Sequence, residues 1–235
     1  MEIYNATGVL KSGTLRVTKP IGALVIVSSR KIEELTNEKI SIHIERKNGD
    51  NDVLASNIPL KAFIGCSLFG DGKALNITGT GLSAICEIAN LGSVELGENE
   101  SIVITLTDLI STVTYGLHGI ETPVTTPEMV LFIEKVMLTG QKQRTFEVGA
   151  FDEGMLIGSF DKVQVTYPTR EGTRTVELTS LELRAIASDM GLISSGATAQ
   201  ISNTLINLVG AHSIEIFSNN QVNLVLRDVN HTSKL

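Results

Sequence analysis

Two acidic clusters are the first residues in this sequence whose types and spacing suggest chemistry. Asn48–Asp52 and Gly70–Lys73 each bring carboxylate and carbonyl oxygens together, which is how proteins bind calcium. Neither cluster has the twelve-residue spacing with a terminal Glu that a calcium-binding loop requires. Both compositions are typical of hairpin turns, where Asn, Asp and Gly are favoured. We therefore predict two turns and no metal site.

The histidines and cysteines do not suggest a metal site either. No two histidines have the spacing of zinc ligands, and the two cysteines lack a second Cys-x-x-Cys arm. The apolar neighbours of each cysteine predict buried free thiols and synthesis in a reducing compartment. The residues in question are His43, His118, His212, His231, Cys66 and Cys86. We expect no cofactor.

The motifs of common enzymes are also missing from the sequence. There is no Gly-x-Ser-x-Gly elbow, and Gly79–Gly81 lacks the Lys and Ser/Thr of a phosphate-binding loop. Glu98 and Glu100 flank Asn99 in a polar turn, where solvation explains them better than acid–base catalysis. We therefore expect that this chain is not an enzyme.

The charge of the chain opposes contact with nucleic acid. The formal net charge is −7, whereas binding to phosphates depends on clustered Lys and Arg. The first twenty residues are a local exception, since they contain three cations, Lys11, Arg16 and Lys19, and one acidic residue, Glu2. These three cations are candidates for contact with another surface. We predict no direct, sequence-specific contact with nucleic acid.

The elements that would position these residues are mostly strands. Segments rich in Val, Ile and Thr, bounded by Gly, Asn and Asp, recur in both halves and predict an all-β chain of two sandwiches or barrels. Two short helices interrupt them. Asn57 is the expected cap of the first helix, with Pro59 in its opening turn, while Thr179–Glu182 is a capping box for a helix to about Met190.

The two halves also repeat one another. Lys39–Phe63 matches Lys162–Ile186 without a gap at a displacement of 123 residues, including a strand, a Gly turn and a helix. A second block, Ser93–Asp108, matches Ser213–Asp228 at a displacement of 120. A unit of this length buries its own core, so we predict two domains, residues 1–115 and 129–235, joined by a Gly- and Pro-containing linker over 116–128.

These paired blocks resemble the double jelly-roll major capsid proteins of tailless icosahedral viruses with an internal membrane, especially compact members such as those of the corticoviruses. The resemblance covers nearly the whole chain but rests on architecture and not on a short motif. It implies an all-β fold of two tandem eight-stranded jelly-roll barrels with two short flanking helices. At about 115 residues per barrel the chain is small for that family.

The resemblance further implies a structural role and a set of partners. Members of the family form homotrimers of pseudo-sixfold outline, which tile an icosahedral shell together with neighbouring trimers and a minor vertex protein. The expected location is the virion capsid after synthesis in the host cytoplasm, since no secretory signal or apolar run of about 18 residues is present. Lys11, Arg16 and Lys19 become candidates for contact with the internal membrane.

Two other classes of function stay open. A ligand- or receptor-binding β-sandwich would need an exposed aromatic platform, and the chain has no Trp, three Tyr and seven Phe. A ring-shaped DNA clamp would need several cations on its helices, where only Lys61 and Arg184 occur. The mean hydropathy of +0.18 favours apolar surface that is covered by other subunits.

Overall fold

The computed structural model describes residues 1–67, 81–123, 125–126, 128–189 and 203–232. The first half of these residues contains strands β1 (Glu2–Ala6), β2 (Leu15–Val17), β3 (Ala23–Ser28), β4 (Lys39–Glu45), β5 (Asn51–Pro59), β6 (Leu82–Glu87), β7 (Ser93–Val94), β8 (Ser101–Thr107), β9 (Tyr115–Ile120) and β10 (Thr125–Thr126). Helix α1 (Leu60–Ser67) follows β5, and a 3-10 turn spans Ile32–Glu34.

The second half contains strands β11 (Glu128–Met137), β12 (Lys142–Glu147), β13 (Glu153–Ile157), β14 (Lys162–Thr169), β15 (Gly172–Thr179), β16 (Asn203–Asn207), β17 (Ser213–Ser218) and β18 (Val222–Thr232). Helix α2 (Ser180–Asp189) follows β15, as α1 follows β5. The predicted composition of strands with two short helices is confirmed.

The first sandwich consists of two four-stranded sheets, in the orders β1-β9-β3-β6 and β2-β8-β4-β5. Alternation of apolar and polar residues explains its core. Ile40, Ile42 and Ile44 on β4 are fully buried, whereas the intervening His43 is half-buried on the opposite side of the sheet. β7 and β10 form a separate, parallel two-stranded pair.

The second sandwich has the sheet orders β11-β18-β13-β16 and β12-β17-β14-β15. Its buried cluster again draws on inward-facing residues of both sheets, among them Leu156, Val163, Val165, Ile214, Ile216 and Leu224. Strand by strand, the connectivity equals that of the first sandwich, with the helix inserted at the same point. Eight strands in two such sheets are the arrangement of a jelly roll, so the chain is a double jelly roll.

The two repeated blocks that the sequence indicated have different outcomes. Lys39 and Lys162 begin the equivalent strands β4 and β14, so the displacement of 123 is confirmed for this strand. It is wrong for the helices, because α1 begins at Leu60 and α2 at Ser180, a displacement of 120. The displacement of 120 is wrong, because it aligned β8 with β18. In the structure β8 corresponds to β17: Ile104 pairs with Ile42 as Ile214 pairs with Val165, a displacement of 110. Strands of period two fit one another in many registers, which explains the error.

The boundary between the halves differs in detail from the expected linker. The chain divides into one unit of Met1–Phe132 with the last residues from Val229 onwards, and a second unit of Ile133–Asp228. Residues 116–120, which fall inside the expected linker over 116–128, belong to β9. This strand pairs with both β1 and β3 and completes the first sandwich.

The predictions for the starts of the two helices also have different outcomes. At α2, the backbone N–H of Thr179 donates to Glu182 Oε2 at 2.7 Å, and the N–H of Glu182 donates to Thr179 Oγ1 at 3.2 Å, which confirms the predicted capping box. The predicted cap of α1 is wrong, because Asn57 and Pro59 lie in β5. Asn57 has a φ of +52°, and its N–H donates to Ser41 Oγ, at a register shift between β4 and β5.

Candidate functional site

The first acidic cluster forms the predicted hairpin turn. Gly49 has a φ of +88°, which suits glycine, and the N–H of Arg46 donates to the carbonyl of Asp50 at 3.0 Å. The side chain of Asn48 also bonds to Asp50. The second cluster, Gly70–Lys73, lies outside the described residues. Within the described ranges, no three His, Cys, Asp or Glu side chains are grouped as a metal site requires.

The carboxylates of Asp52 and Glu100 both contact the guanidinium group of Arg46. Arg46 donates from Nε to Asp52 at 2.6 Å and from a terminal nitrogen to Glu100 at 2.8 Å and to the carbonyl of Glu95 at 2.9 Å. Hydrogen bonds from the N–H of Gly97, from Arg46 and from the N–H of Lys47 lower the pKa of Glu100. The arrangement ties two loops of the first sandwich together and serves stability.

Both cysteines are buried thiols, as the sequence predicts. Cys66 lies on α1 and Cys86 on β6, each fully buried and outside any disulfide. A thiol without access to solvent does not act as a nucleophile toward molecules in solution.

The three candidate cations of the first twenty residues lie on or beside β2. Arg16 forms a two-fold hydrogen-bonded ion pair with Glu45, and Lys19 Nζ lies 3.2 Å from Glu121 Oε1. Lys11 is exposed. Sequence reasoning missed both acidic partners, because each is more than twenty-five residues away along the chain. They offset two of the three positive charges.

The first sandwich presents a partly apolar outward surface that sequence reasoning also missed. We define the front face of the first sandwich as the side of the β1-β9-β3-β6 sheet that points away from the core. Its central row is Ile85, Val25 and His118, aligned across β6, β3 and β9. Ile85 is exposed, and the other two are half-buried.

The corresponding front face of the second sandwich belongs to the β11-β18-β13-β16 sheet. Its central row is Leu205, Met155 and Val225, aligned across β16, β13 and β18. All three side chains are buried although they point away from the core cluster. Equivalent faces of the two sandwiches thus differ in exposure.

The two helices differ in the opposite sense. In α1, apart from Lys61, every residue is buried, and the ring of Phe63 lies 4.6 Å from that of Phe132. In α2, Leu183 is buried but Leu181 and Ile186 are exposed. No helix in the described part of the chain is long and apolar enough to cross a membrane.

No protein-family model and no curated protein matches the sequence. Solved structures do match the fold. Oxalate decarboxylase of Bacillus subtilis reaches a TM-score of only 0.25, at 8% identity over 98% of this chain and 75% of that one, which carries no argument. A chain in the atomic structure of Sulfolobus Turreted Icosahedral Virus has a TM-score of 0.53 at 10% identity, over 99% of this chain and 91% of that one. The major capsid protein P2 of bacteriophage PM2 has a TM-score of 0.54 at 12% identity, over 99% of this chain and 96% of that one, so the double jelly-roll fold of this chain is also that of a viral capsid protein.

Proposed function

We propose that this chain is a structural protein, the major capsid subunit of a virus. One observation carries the proposal: two jelly rolls of identical strand order account for the chain, and a phage major capsid protein shares the fold over 99% of this chain and 96% of its own. Such agreement over both full lengths extends beyond a single shared domain. A fold can serve several functions, so the capsid role also needs support from the surface features of this chain.

The surface of the chain supports a role in assembly. Apolar side chains are exposed on a helix and on a sheet face of the described residues, where a binding partner would cover them. The edge strand β15 carries mostly exposed side chains, and the edge strand β5 carries four among its nine residues. Shell neighbours would protect the open edges of both strands. A subunit whose task is to pack against copies of itself needs these features and no catalytic centre.

The finer part of the proposal is a homotrimer. Three copies of a chain with two similar modules present six modules around one axis, which produces a pseudo-hexameric capsomer. These capsomers tile an icosahedral shell over an internal membrane, with a minor protein at the vertices. The mature location is the virion capsid, after synthesis in the host cytoplasm.

Contact with the internal membrane is assigned to the segment that contains Lys11, Arg16 and Lys19. The supporting feature is the exposure of all three side chains. Because Glu45 and Glu121 offset two of the charges, Lys11 contributes most of the attraction to anionic lipid, at about 1 kcal/mol per cation near the surface.

Vesicle sedimentation tests this contact. With vesicles that contain anionic lipid, we expect the variant with all three cations changed to Glu to bind less than the parent protein. A matched variant carries Lys31→Glu, Lys47→Glu and Arg174→Glu, which also removes two lysines and one arginine from exposed positions. Equal loss in both variants, or no loss in the first, would refute the assignment.

The other classes of function receive less support from the structure. For a clamp, the cations of α1 and α2 would have to face a duplex, but Lys61 donates to the carbonyl of Glu33 at 3.1 Å, and burial lowers the pKa of Lys61. No aromatic side chain appears among the large hydrophobic residues that are exposed in the described ranges. This does not favour a ligand-binding platform.

The mass of the purified protein in solution, followed by negative-stain imaging, tests the proposed function. A single chain has a mass of 25.2 kDa. We expect a species of three chains with a six-sided outline, or closed shells. A protein that stays monomeric over the whole accessible concentration range would contradict the proposal.

A further inference from the structure

The hairpin tip between β4 and β5 contains the one Asn-Gly pair of the sequence, Asn48-Gly49. Both residues are exposed. The backbone nitrogen that follows an asparagine can attack the side-chain amide of that asparagine, and a side chain on the following residue hinders this approach. Gly49 has no side chain, and no heavy atom beyond its chain neighbours lies within 4 Å of the place where a Cβ would stand. The amide of Asn48 is therefore open to attack from its own backbone.

The amide of Asn48 is held by Asp50 through both of its polar atoms. Its Oδ1 accepts from the backbone N–H of Asp50 at 3.0 Å, and its Nδ2 donates to Asp50 Oδ2 at 2.9 Å. When a nucleophile adds to the side-chain carbonyl, negative charge develops on Oδ1. A hydrogen-bond donor that is already in contact with this oxygen stabilises the charge, so the fold favours addition at Cγ of Asn48.

One hydrogen bond of the turn opposes the reaction. The N–H of Gly49 donates to the carbonyl of Arg46 at 3.0 Å, and this bond has to open before the nitrogen can turn toward the side chain of Asn48. Exposed loop tips open locally far more often than the core of a sheet does. The bond from the N–H of Arg46 to the carbonyl of Asp50 closes the hairpin behind the tip, so the opening involves only residues 47–49.

We propose that Asn48 is a site of spontaneous deamidation in the folded protein. The backbone nitrogen of Gly49 forms a bond to Cγ of Asn48, the Cγ–Nδ2 bond breaks, and ammonia leaves with the proton that Gly49 gives up. Water then opens the resulting five-membered succinimide ring at either of its two carbonyl groups. The products are aspartate and isoaspartate, and in the latter the main chain continues through the side-chain carbonyl. This inference does not depend on the proposed capsid role.

Either product changes the tip of the hairpin. The new carboxylate adds one negative charge to the formal net charge of −7. The hydrogen bond from Asn48 Nδ2 to Asp50 is lost, and repulsion between two carboxylates takes its place. Isoaspartate also lengthens the backbone by one atom, which disrupts the hydrogen bonds of the turn. A folded preparation should therefore accumulate a more acidic form with a looser β4–β5 hairpin as it ages.

Peptide mapping by mass spectrometry tests the site. The full chain is kept folded in mildly alkaline buffer, and samples are digested at mildly acidic pH, where the reaction is slow. We expect the peptide with Asn48 to gain one mass unit and to separate into two products, at least about tenfold faster than peptides with Asn99 or Asn219. These two asparagines are also exposed, but Glu100 and Asn220 follow them.

Two variants test the mechanism. Asn48→Gln keeps an amide but would have to form a larger ring, so the acidic form should not appear. Gly49→Asn introduces a residue type that tolerates the left-handed φ of +88° at this position. Because it adds a side chain next to the attacking nitrogen, conversion of Asn48 should be at least about tenfold slower than in the parent protein. Circular dichroism establishes that both variants are folded.

The same measurement in concentrated urea gives the reference for the unfolded chain. If Asn48 stays unchanged in the folded protein, the proposal is wrong, and conversion in urea would then show that the turn protects the amide. Equal conversion at Asn99 or Asn219, or an undiminished rate in Gly49→Asn, would also overturn the proposal. Assembly of the parent protein is measured separately, so none of these outcomes bears on the capsid role.

Discussion

The phenol of Tyr115 donates a hydrogen bond to Glu38 inside the first sandwich, with 2.7 Å between the two oxygen atoms. The same carboxylate accepts from the backbone N–H groups of Thr36 at 2.8 Å and Asn37 at 3.1 Å. Tyr115 and Glu38 are both buried. A buried acidic side chain is tolerated only where such partners replace water, so Tyr115 holds a loop against the β1-β9-β3-β6 sheet.

Replacing Tyr115 with Phe tests the contribution of this hydrogen bond. The ring still fills its space, but Glu38 loses one partner, and we expect the free energy of unfolding to fall by about 1–3 kcal/mol. Urea unfolding gives this value. Tyr167→Phe, at a half-buried tyrosine of the second sandwich, should change it by less than about 0.5 kcal/mol. Equal effects at the two sites would contradict the interpretation.

The same pair makes stability depend on alkaline pH. Burial, together with the bond to Glu38, raises the pKa of Tyr115 above its ordinary value of 10.0. The folded state therefore favours the neutral phenol, and this contribution is complete below pH 10 and is lost as the pH rises further. We expect the stability difference between the parent protein and Tyr115→Phe to be constant from pH 7 to 9 and to narrow above pH 10. A difference that widens there would refute this.

Glu100 produces the opposite dependence at acidic pH. Hydrogen bonds from the N–H of Gly97 and from Arg46 lower the pKa of Glu100 below its ordinary 4.5. The folded state favours the carboxylate, so its contribution is present above pH 4.5 and is lost as the pH falls below it. Glu100→Gln should cost about 1–3 kcal/mol at pH 7 and much less at pH 3.

Urea unfolding at the two pH values measures the effect of Glu100→Gln. Glu98→Gln, an exposed change in the same turn, serves as the control and should leave stability nearly unchanged at both. A cost at Glu100 that is the same at pH 3 as at pH 7 would show that the charge of this carboxylate is irrelevant.

Gly22 has no room for a side chain. A Cβ at this position would overlap the carbonyl of Gly92, which is backbone and cannot rotate away. We expect Gly22→Ala to cost about 3 kcal/mol, as for other overpacked sites. Thermal unfolding of Gly149→Ala provides the comparison, because the nearest atom to that Cβ is 3.8 Å away. If both variants melt alike, the close approach at Gly22 is not a constraint.

The thiols of Cys66 and Cys86 should be nearly unreactive toward thiol reagents in the native protein. Because both are fully buried, they react with a thiol reagent only when the structure opens. We expect reaction at least about a hundredfold slower in buffer than in concentrated urea, where two thiols per chain react. Fast reaction of either thiol in buffer would place that cysteine at the surface.

Local features of the fold are well predicted from the sequence. The capping box of Thr179 and Glu182 spans four residues, and the turn at Gly49 spans three, so all the determinants lie in one short segment. The equivalence of the two strand–turn–helix units was found because these elements agree in order, although only β4 and β14 keep the displacement of 123 residues. For the counterpart of β8, the only signal was the alternation of apolar and polar residues. By that signal β18 fitted as well as β17, which is the correct counterpart.

Features that depend on distant contacts could not be predicted in this way. Nothing in the first twenty residues indicates that Arg16 pairs with Glu45. Ile85 lies in a segment whose neighbours Ala84 and Cys86 are core residues, so the sequence does not reveal that Ile85 points outward. The candidate surfaces of this protein are visible only when the sheets are assembled.

The strand order also governs how the chain can fold as it leaves the ribosome. β9 lies between β1 and β3. Because Glu2 of β1 pairs with His118 of β9, β1 cannot join the first sheet until β9 has been synthesised. In the second sandwich β18 lies between β11 and β13, and it follows the other seven strands of that sandwich in the sequence. Such long-range pairing is slow and leaves strand edges open meanwhile. The second sandwich therefore cannot close until β18 has been synthesised, and chains truncated before β18 lose an internal strand of a sheet and not an edge.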